Sequence, residues 1–362
     1  MKYRDLPYTE KEKIVSLVFE EAKRMEEKDK RINYHELSRI VLAKTGIRLK
    51  HVTIRSWIIR EKVPMGNYKA IRRLPDEDAQ IVRGLDLTDF GRLEKADTIR
   101  LILNTTKEYF ARSVQNLMKS YGLATVRPIL ISDAPEWMMT AYLDYEPWIH
   151  ELEKPVEQLT YEEKMKLLSG AISGDGWIAV SHTNRSNVIF TIGLANSQEY
   201  KAKMFHQVLE SMSIPHSFTK SQIREKQKRI GNHIIQRKAL YEYRVTVEAK
   251  TAVKHLLTNL KLVEPFKEVK RIIVLKFIKK NVFNRDVIKP VWGYLKVAEK
   301  ASTIRSQLRA CEQIPDEKFV KKNLDKQQIL KSLHRRLCEY ANKLRRLKPV
   351  ATRIISDIRS SP

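Results

Sequence analysis

The chain has 362 residues, enough for two or three domains, and 42% of them are hydrophobic, enough for packed cores. Its 69 lysines and arginines against 43 acids leave a net charge of +26. That points to a polyanionic partner, most simply nucleic acid, because neutralised phosphates release condensed counterions; a surface of ion-pair networks explains the 31% charged residues but not the sign imbalance.

Cys311 and Cys338 alone make neither a disulfide framework nor a metal knuckle, so a reducing interior is expected. No apolar run approaches the roughly 18 residues of a membrane span, so no membrane partner is expected. The first residues lack the apolar region of a secretion signal, and there is no GxxxxGK[ST] loop. The expected setting is cytoplasmic and nucleoid-associated.

Residues 9–29 read as an amphipathic helix, with Thr9 as cap and Ile14, Leu17, Val18, Ala22 and Met25 on its apolar face. Asn33 and Glu36 form a capping box that opens a second helix, to about residue 44. After a turn at 45–48, a third helix over about 50–60 carries His51, Thr53, Arg55, Ser56 and Arg60, with Val52, Ile54, Trp57 and Ile58 for packing. A helix, a glycine-bearing turn and a helix bearing Arg, Thr and Ser resemble a helix-turn-helix DNA reader. The alternative is a plain three-helix bundle with a solvated basic face. This domain spans 1–66, and residues 63–67 form a linker.

Residues 76–157 open on the acids Asp76, Glu77 and Asp78, suited to a first helical turn. Residues 158–283 open on strong helix formers at 161–168. Gly170 and Gly174 follow on one helical face, each costing roughly 0.5–1 kcal/mol relative to alanine. Two such glycines suggest close approach to another helix. The helix ends at Asp175, where a carboxylate faces the negative end of the macrodipole and needs a nearby cation. A hairpin follows over 177–181 and 188–194, then a second over 217–230 and 233–247. There Lys220, Gln222, Arg224 and Lys226 alternate with residues expected to face the helices or the strand edge, and Arg244 lies on the return strand. One basic face suits a duplex; a solvated edge strand explains any single lysine.

Leu168 to Gly176 (LSGAISGDG) resembles the LAGLIDADG motif of the homing endonucleases. It keeps Leu168, Gly170, Ile172, Asp175 and Gly176 and departs at Ser173, where an earlier acid is usual. The motif recurs in a degenerate copy. Leu103, Glu108, Tyr109, Ala111 and Ser120 are repeated as Leu194, Glu199, Tyr200, Ala202 and Ser211. The matching helix at 82–90 puts Gly84 and Thr88 at the positions of Gly170 and Gly174, and Asp89 at that of Asp175. Phe90 replaces the last glycine, and the first hairpin is shorter.

The resemblance implies an α+β fold of two pseudo-symmetric αββαββα repeats, a monomer with a pseudo-two-fold axis whose sheets form a saddle on double-stranded DNA. It implies that Asp89 and Asp175 bind Mg²⁺ or Mn²⁺, and that Lys267, at the start of the post-sheet helix, supports the attacking water or the leaving group. A surface lysine is the plain alternative for Lys267. The implied activity is a metal-dependent, sequence-specific DNA endonuclease, of the kind carried by mobile elements. Two alternatives remain open: a non-cleaving regulator similar to the WhiA type, where the helix-turn-helix follows the fold, and a maturase with an RNA partner. Residues 284–362 read as a basic helical region with Lys321, Lys322, Lys326, Lys331, Arg335, Arg336, Lys343, Arg345 and Arg346. They extend the DNA footprint, pack on the core or mediate association.

Overall fold

The computed structural model describes residues 3, 6, 8–27, 32–59, 74–95, 98–131, 133–182, 188–223, 228–230, 233–235 and 240–360. Three helices come first: α1 (Tyr8–Glu27), α2 (Tyr34–Thr45) and α3 (His51–Ile59). They share their own core, with Ile14, Val18, Leu37, Val41, Ile54 and Trp57 buried. The Asn33 side chain accepts the backbone N–H groups of His35 and Glu36 and starts α2. Gly46, at φ +69°, ends it in the left-handed conformation that glycine adopts without cost. Thr9's side chain lies outside the described residues. Val52, expected in the packing, is 61% exposed; two residues from Ile54, it projects from the opposite side of α3.

Two halves of like topology follow. The first runs α4 (Ala79–Asp86), β1 (Phe90–Lys95), β2 (Thr98–Thr105), α5 (Glu108–Met118), β3 (Ala124–Ile131), β4 (Ala134–Asp144) and α6 (Tyr145–Glu153). The second runs α7 (Tyr161–Ser173), β5 (Gly176–His182), β6 (Val188–Asn196), α8 (Glu199–Ser211), β7 (Ser217–Ile223), the ribbon β8 (Lys228–Ile230) and β9 (His233–Ile235), β10 (Leu240–Val247) and α9 (Lys250–Asn259). The sheets are antiparallel and ordered alike, β1-β2-β4-β3 and β5-β6-β10-β7. This is the α+β duplication expected from the internal repeat.

Strand alternation explains the layering. Ile99, Leu101, Leu103, Met139, Ala141 and Leu143 of the first sheet point into one helix-covered core. Ile192, Leu194, Val245 and Val247 point into the other. Beyond α9, α10 (Pro265–Lys279) joins the second core through Val274, Phe277 and Ile278.

The 29-residue α11 (Arg285–Gln313) serves both halves. Val291, Trp292 and Leu295 enter the second core and Ala310 the first. The indole N–H of Trp137 donates to the Ser306 carbonyl at 2.9 Å. After the short α12 (Asp316–Val320), α13 (Lys326–Ser360) returns along α11. Leu333 packs near Ile304 and Leu308, and Ala351 reaches the second core. Lys331, Arg335, Arg336, Lys343, Arg345 and Arg346 lie exposed on α13. No helix among the described residues is long and apolar enough to cross a membrane.

Candidate metal and nucleic-acid site

Thr160 and Glu163 start α7 with a reciprocal capping box. α7 then lies against α4, and glycine explains how closely. A Cβ added to Gly84 would sit 2.6 Å from the Ala171 nitrogen and 2.9 Å from Gly170 Cα. One added to Gly170 would sit 3.0 Å from Gly84 Cα. One added to Gly174 would meet Thr88 Cβ and Asp89 Oδ2, both at 2.8 Å. At Gly84 and Gly170 the seam is backbone against backbone. Thr88 fills the place opposite Gly174 and donates its hydroxyl back to the Gly84 carbonyl at 3.1 Å.

This seam delivers Asp89 and Asp175 together at its foot. Burial, then the neighbouring Asp175 charge, pushes the Asp89 carboxyl up to about 6. Desolvation also raises Asp175, against the pull of Lys267 and Lys201 and a hydrogen bond from Asn196. That bond runs from Asn196 Nδ2 to Asp175 Oδ2 at 2.9 Å. Two carboxylates each desolvated beside the other form a site that gains from a shared cation.

Lys267 answers the macrodipole problem posed by the sequence. Its ammonium donates to the carbonyls of Ile172 and Ser173, each at 3.0 Å, and to that of Gly174. It thus caps the C-terminus of α7. Burial pulls its amine down to about 8, with Glu264 and the two aspartates opposing. Lys267 stands in the first turn of α10, and the segment that leads into it from α9 lies along α7. Lys261 N–H donates to Ser169 Oγ at 3.1 Å and Val263 N–H to Ser173 Oγ at 2.8 Å. Buried Glu264 caps α10 and pairs with Lys107 at 3.5 Å.

The strand register corrects one expectation. Lys220 pairs with Tyr243 and Phe218 with Val245, so Lys220 and Gln222 share the helix-side face. The Lys220 ammonium lies 4.3 Å from the Tyr241 ring centroid and 5.3 Å from that of Tyr243. β7 is an edge strand, so its outer end can carry an exposed lysine on the face that is core at Phe218. Arg244 pairs with Thr219 on the opposite, open face and is exposed. Arg224, Lys226 and Arg60 lie outside the described residues. In α3, Arg55 is exposed, His51, Thr53 and Ser56 are half-buried, and the His51 ring stacks on that of His35.

Other residues escaped the sequence reading. Asn196 orients Asp175, and Lys201, at the start of α8, bears on both aspartates. On the open face of the first sheet, Arg127 is exposed and the Arg100 guanidinium lies 5.8 Å from the Tyr142 ring centroid. The alternation of β2 and β3 was the available signal for both.

The donor chemistry fits a hard divalent cation: carboxylate and carbonyl oxygens, with no thiol and no imidazole. No group of three His, Cys, Asp or Glu side chains able to hold a metal occurs among the described residues. Asp89 and Asp175 would therefore hold Mg²⁺ or Mn²⁺ with water and substrate oxygens completing the shell, the usual arrangement for Mg²⁺.

No family model and no curated protein matches the chain. Several solved structures are distantly similar. They include the N-terminal LAGLIDADG domain of DUF199/WhiA, 12% identical over 52% of this chain and 86% of that one, with a TM-score of 0.34. Full-length DUF199/WhiA from Thermatoga maritima is 14% identical over 75% and 94%, with a TM-score of 0.35. The homing endonuclease I-DmoI in complex with DNA and Mn is 10% identical over 51% and 97%, with a TM-score of 0.33. Likenesses this distant carry no argument about activity.

Proposed function

We propose that the chain is a sequence-specific, divalent-cation-dependent endonuclease of double-stranded DNA, acting as a monomer inside the cell. The observation that carries this reading is the meeting of Asp89 and Asp175 at the foot of a glycine seam, each made harder to ionise by burial. A purely structural helix pair gains nothing from two such carboxylates.

Each residue has a task. Asp89 and Asp175 hold the cation, which when bound lowers the pKa of water and stabilises the leaving oxygen. Asn196 fixes the Asp175 carboxylate. Lys201 supplies positive charge beside both acids, where phosphate would lie. Lys267 secures the end of α7, and with it the direction of Asp175. The open sheet faces, with Arg100, Arg127 and Arg244, lie on the backbone of the duplex. Arg55 and the half-buried His51, Thr53 and Ser56 of α3 add a helix-turn-helix contact.

One observation favours a non-cleaving DNA-binding protein instead. The Lys267 ammonium already satisfies the carbonyl end of α7, including Gly174, without a metal. The two readings separate in one experiment: incubation of a randomised plasmid library with Mg²⁺ and either wild type or Asp175→Asn. Linearisation at a defined site, lost in the variant, supports the nuclease. Tight, salt-sensitive binding of duplex DNA with no cutting in Mg²⁺ or Mn²⁺ sinks it, and preference for structured RNA over duplex moves the reading to a maturase.

A further inference from the structure

The two halves are not equivalent beside the seam. Next to α7, residues 261–267 fill the space between that helix and α5: Ser169 and Ser173 accept their backbone N–H groups, and Phe266 packs on Tyr109 at 5.1 Å. The internal repeat matches Arg83 to Ser169 and Tyr200 to Tyr109. The corresponding space, between α4 and α8, is a cavity of about 510 Å³. Tyr200 is 62% exposed there, where its counterpart is covered by Phe266.

Arg83 is turned into this cavity and is 2% exposed. Its Nε has no hydrogen-bond partner. Nη1 reaches only Gln80 Oε1 at 3.3 Å, and Nη2 only the Met204 sulfur at 3.8 Å. Among the described residues Arg83 makes no ion pair. The wall's two acids pair with Arg92 of the same wall, Asp86 at 3.4 Å and Glu153 at 3.3 Å, and Asp86, Glu151 and Glu163 favour the Arg83 charge only through space. Lys201, also on the wall, makes no ion pair among the described residues. A buried guanidinium whose acceptors are only a neutral amide and a thioether is costly, and its fork matches a planar or tetrahedral oxyanion.

We infer that the groove between α4 and α8 binds the oxyanion group of a small ligand, phosphate or carboxylate, on Arg83 and Lys201. The groove adjoins the acid pair, because Lys201 bears on both aspartates, but an anion bound on Arg83 does not depend on whether the chain cuts DNA. Gln198 and Tyr200, both exposed, stand at its mouth to add hydrogen bonds.

The test is thermal unfolding of the full chain in inorganic phosphate or succinate, against sodium chloride at matched ionic strength. Wild type should show saturable stabilisation by at least one of the two anions. Phosphate alone would identify a phosphorylated ligand, and succinate a carboxylated one. Met204→Glu keeps every charged group of the site and sets a carboxylate against Arg83 Nη2, so it should weaken the anion at least tenfold; Arg83→Gln should do the same. Stabilisation by neither anion overturns the inference. So does stabilisation that survives undiminished in Met204→Glu, because the anion then binds elsewhere on this basic surface. If Arg83→Gln does not fold, Met204→Glu alone decides.

Discussion

Replacing Gly84 by alanine adds one carbon where the structure has no room. That Cβ would stand 2.9 Å from Gly170 Cα and 2.6 Å from the Ala171 nitrogen, both backbone atoms that no rotamer change can move. Carbon contacts are comfortable at about 3.5–4.0 Å, so the helices must part by roughly 0.5–1 Å. Overpacking of this kind costs about 1–3 kcal/mol, and alanine's better helix propensity returns roughly 0.5–1 kcal/mol. The expected net loss is about 1–2 kcal/mol by urea denaturation. Gly91→Ala is the control, since its added carbon would have a single neighbour, the Ile102 carbonyl oxygen at 3.8 Å; it should change stability by no more than about 0.5 kcal/mol. Cleavage should suffer more than stability, because a misplacement near 1 Å costs on the order of 10²-fold in rate. A Gly84→Ala protein as stable as wild type would refute the backbone seam.

Lys267→Met should destabilise the chain by uncapping α7, and it should also remove a pH dependence. The Lys267 amine falls to about 8 in the fold from 10.5, so the unfolded chain holds its proton longer. Wild-type stability should therefore gain a rising contribution between about pH 8 and 10.5, absent from the variant, in denaturation curves taken across that range. Asp89 behaves in the opposite sense. Its carboxyl rises to about 6 from 3.8, so the folded chain keeps the proton longer, and the associated stability is lost as pH climbs through 6. Asp89→Asn should thus be the more stable protein at pH 7 in chelator, and millimolar Mg²⁺ should narrow the gap by stabilising wild type alone; a gap insensitive to Mg²⁺ would remove the metal site. Arg127→Ala should weaken duplex binding and lower the slope of log K against log salt by about 1, with Lys220→Ala, on the helix-side face, leaving the slope unchanged.

The seam was legible because it requires residue types that nothing else requires. Gly170 and Gly174 in one copy and Gly84 and Thr88 in the other, each four apart and followed by a terminal acid, fix a helix contact without any knowledge of the partner. The acid even announced its missing cation, but only the structure identifies Lys267 as bound to the carbonyls of Ile172 and Ser173, since that contact joins residues remote in sequence. The face of β7 was misread for a different reason. Alternation separates Lys220 and Gln222 from Thr219 and Ser221, but does not say which set faces the helices. Phe218 against Val245 decides that, and the decision comes from the register with β10. The cavity beside α4 was invisible because it depends on how α4 and α8, remote in sequence, pack against each other. Arg83 reads from sequence as an ordinary helix surface residue.

Main-chain atoms have no rotamers, so the contact between Gly84 and Gly170 acts as a mechanical stop. Side-chain interfaces drift as their residues are exchanged, whereas this one holds its gauge as long as the two glycines are kept. The distance between the two acids is therefore inherited separately from the sequences of the sheets. Strands and loops can diverge without changing how Asp89 and Asp175 meet.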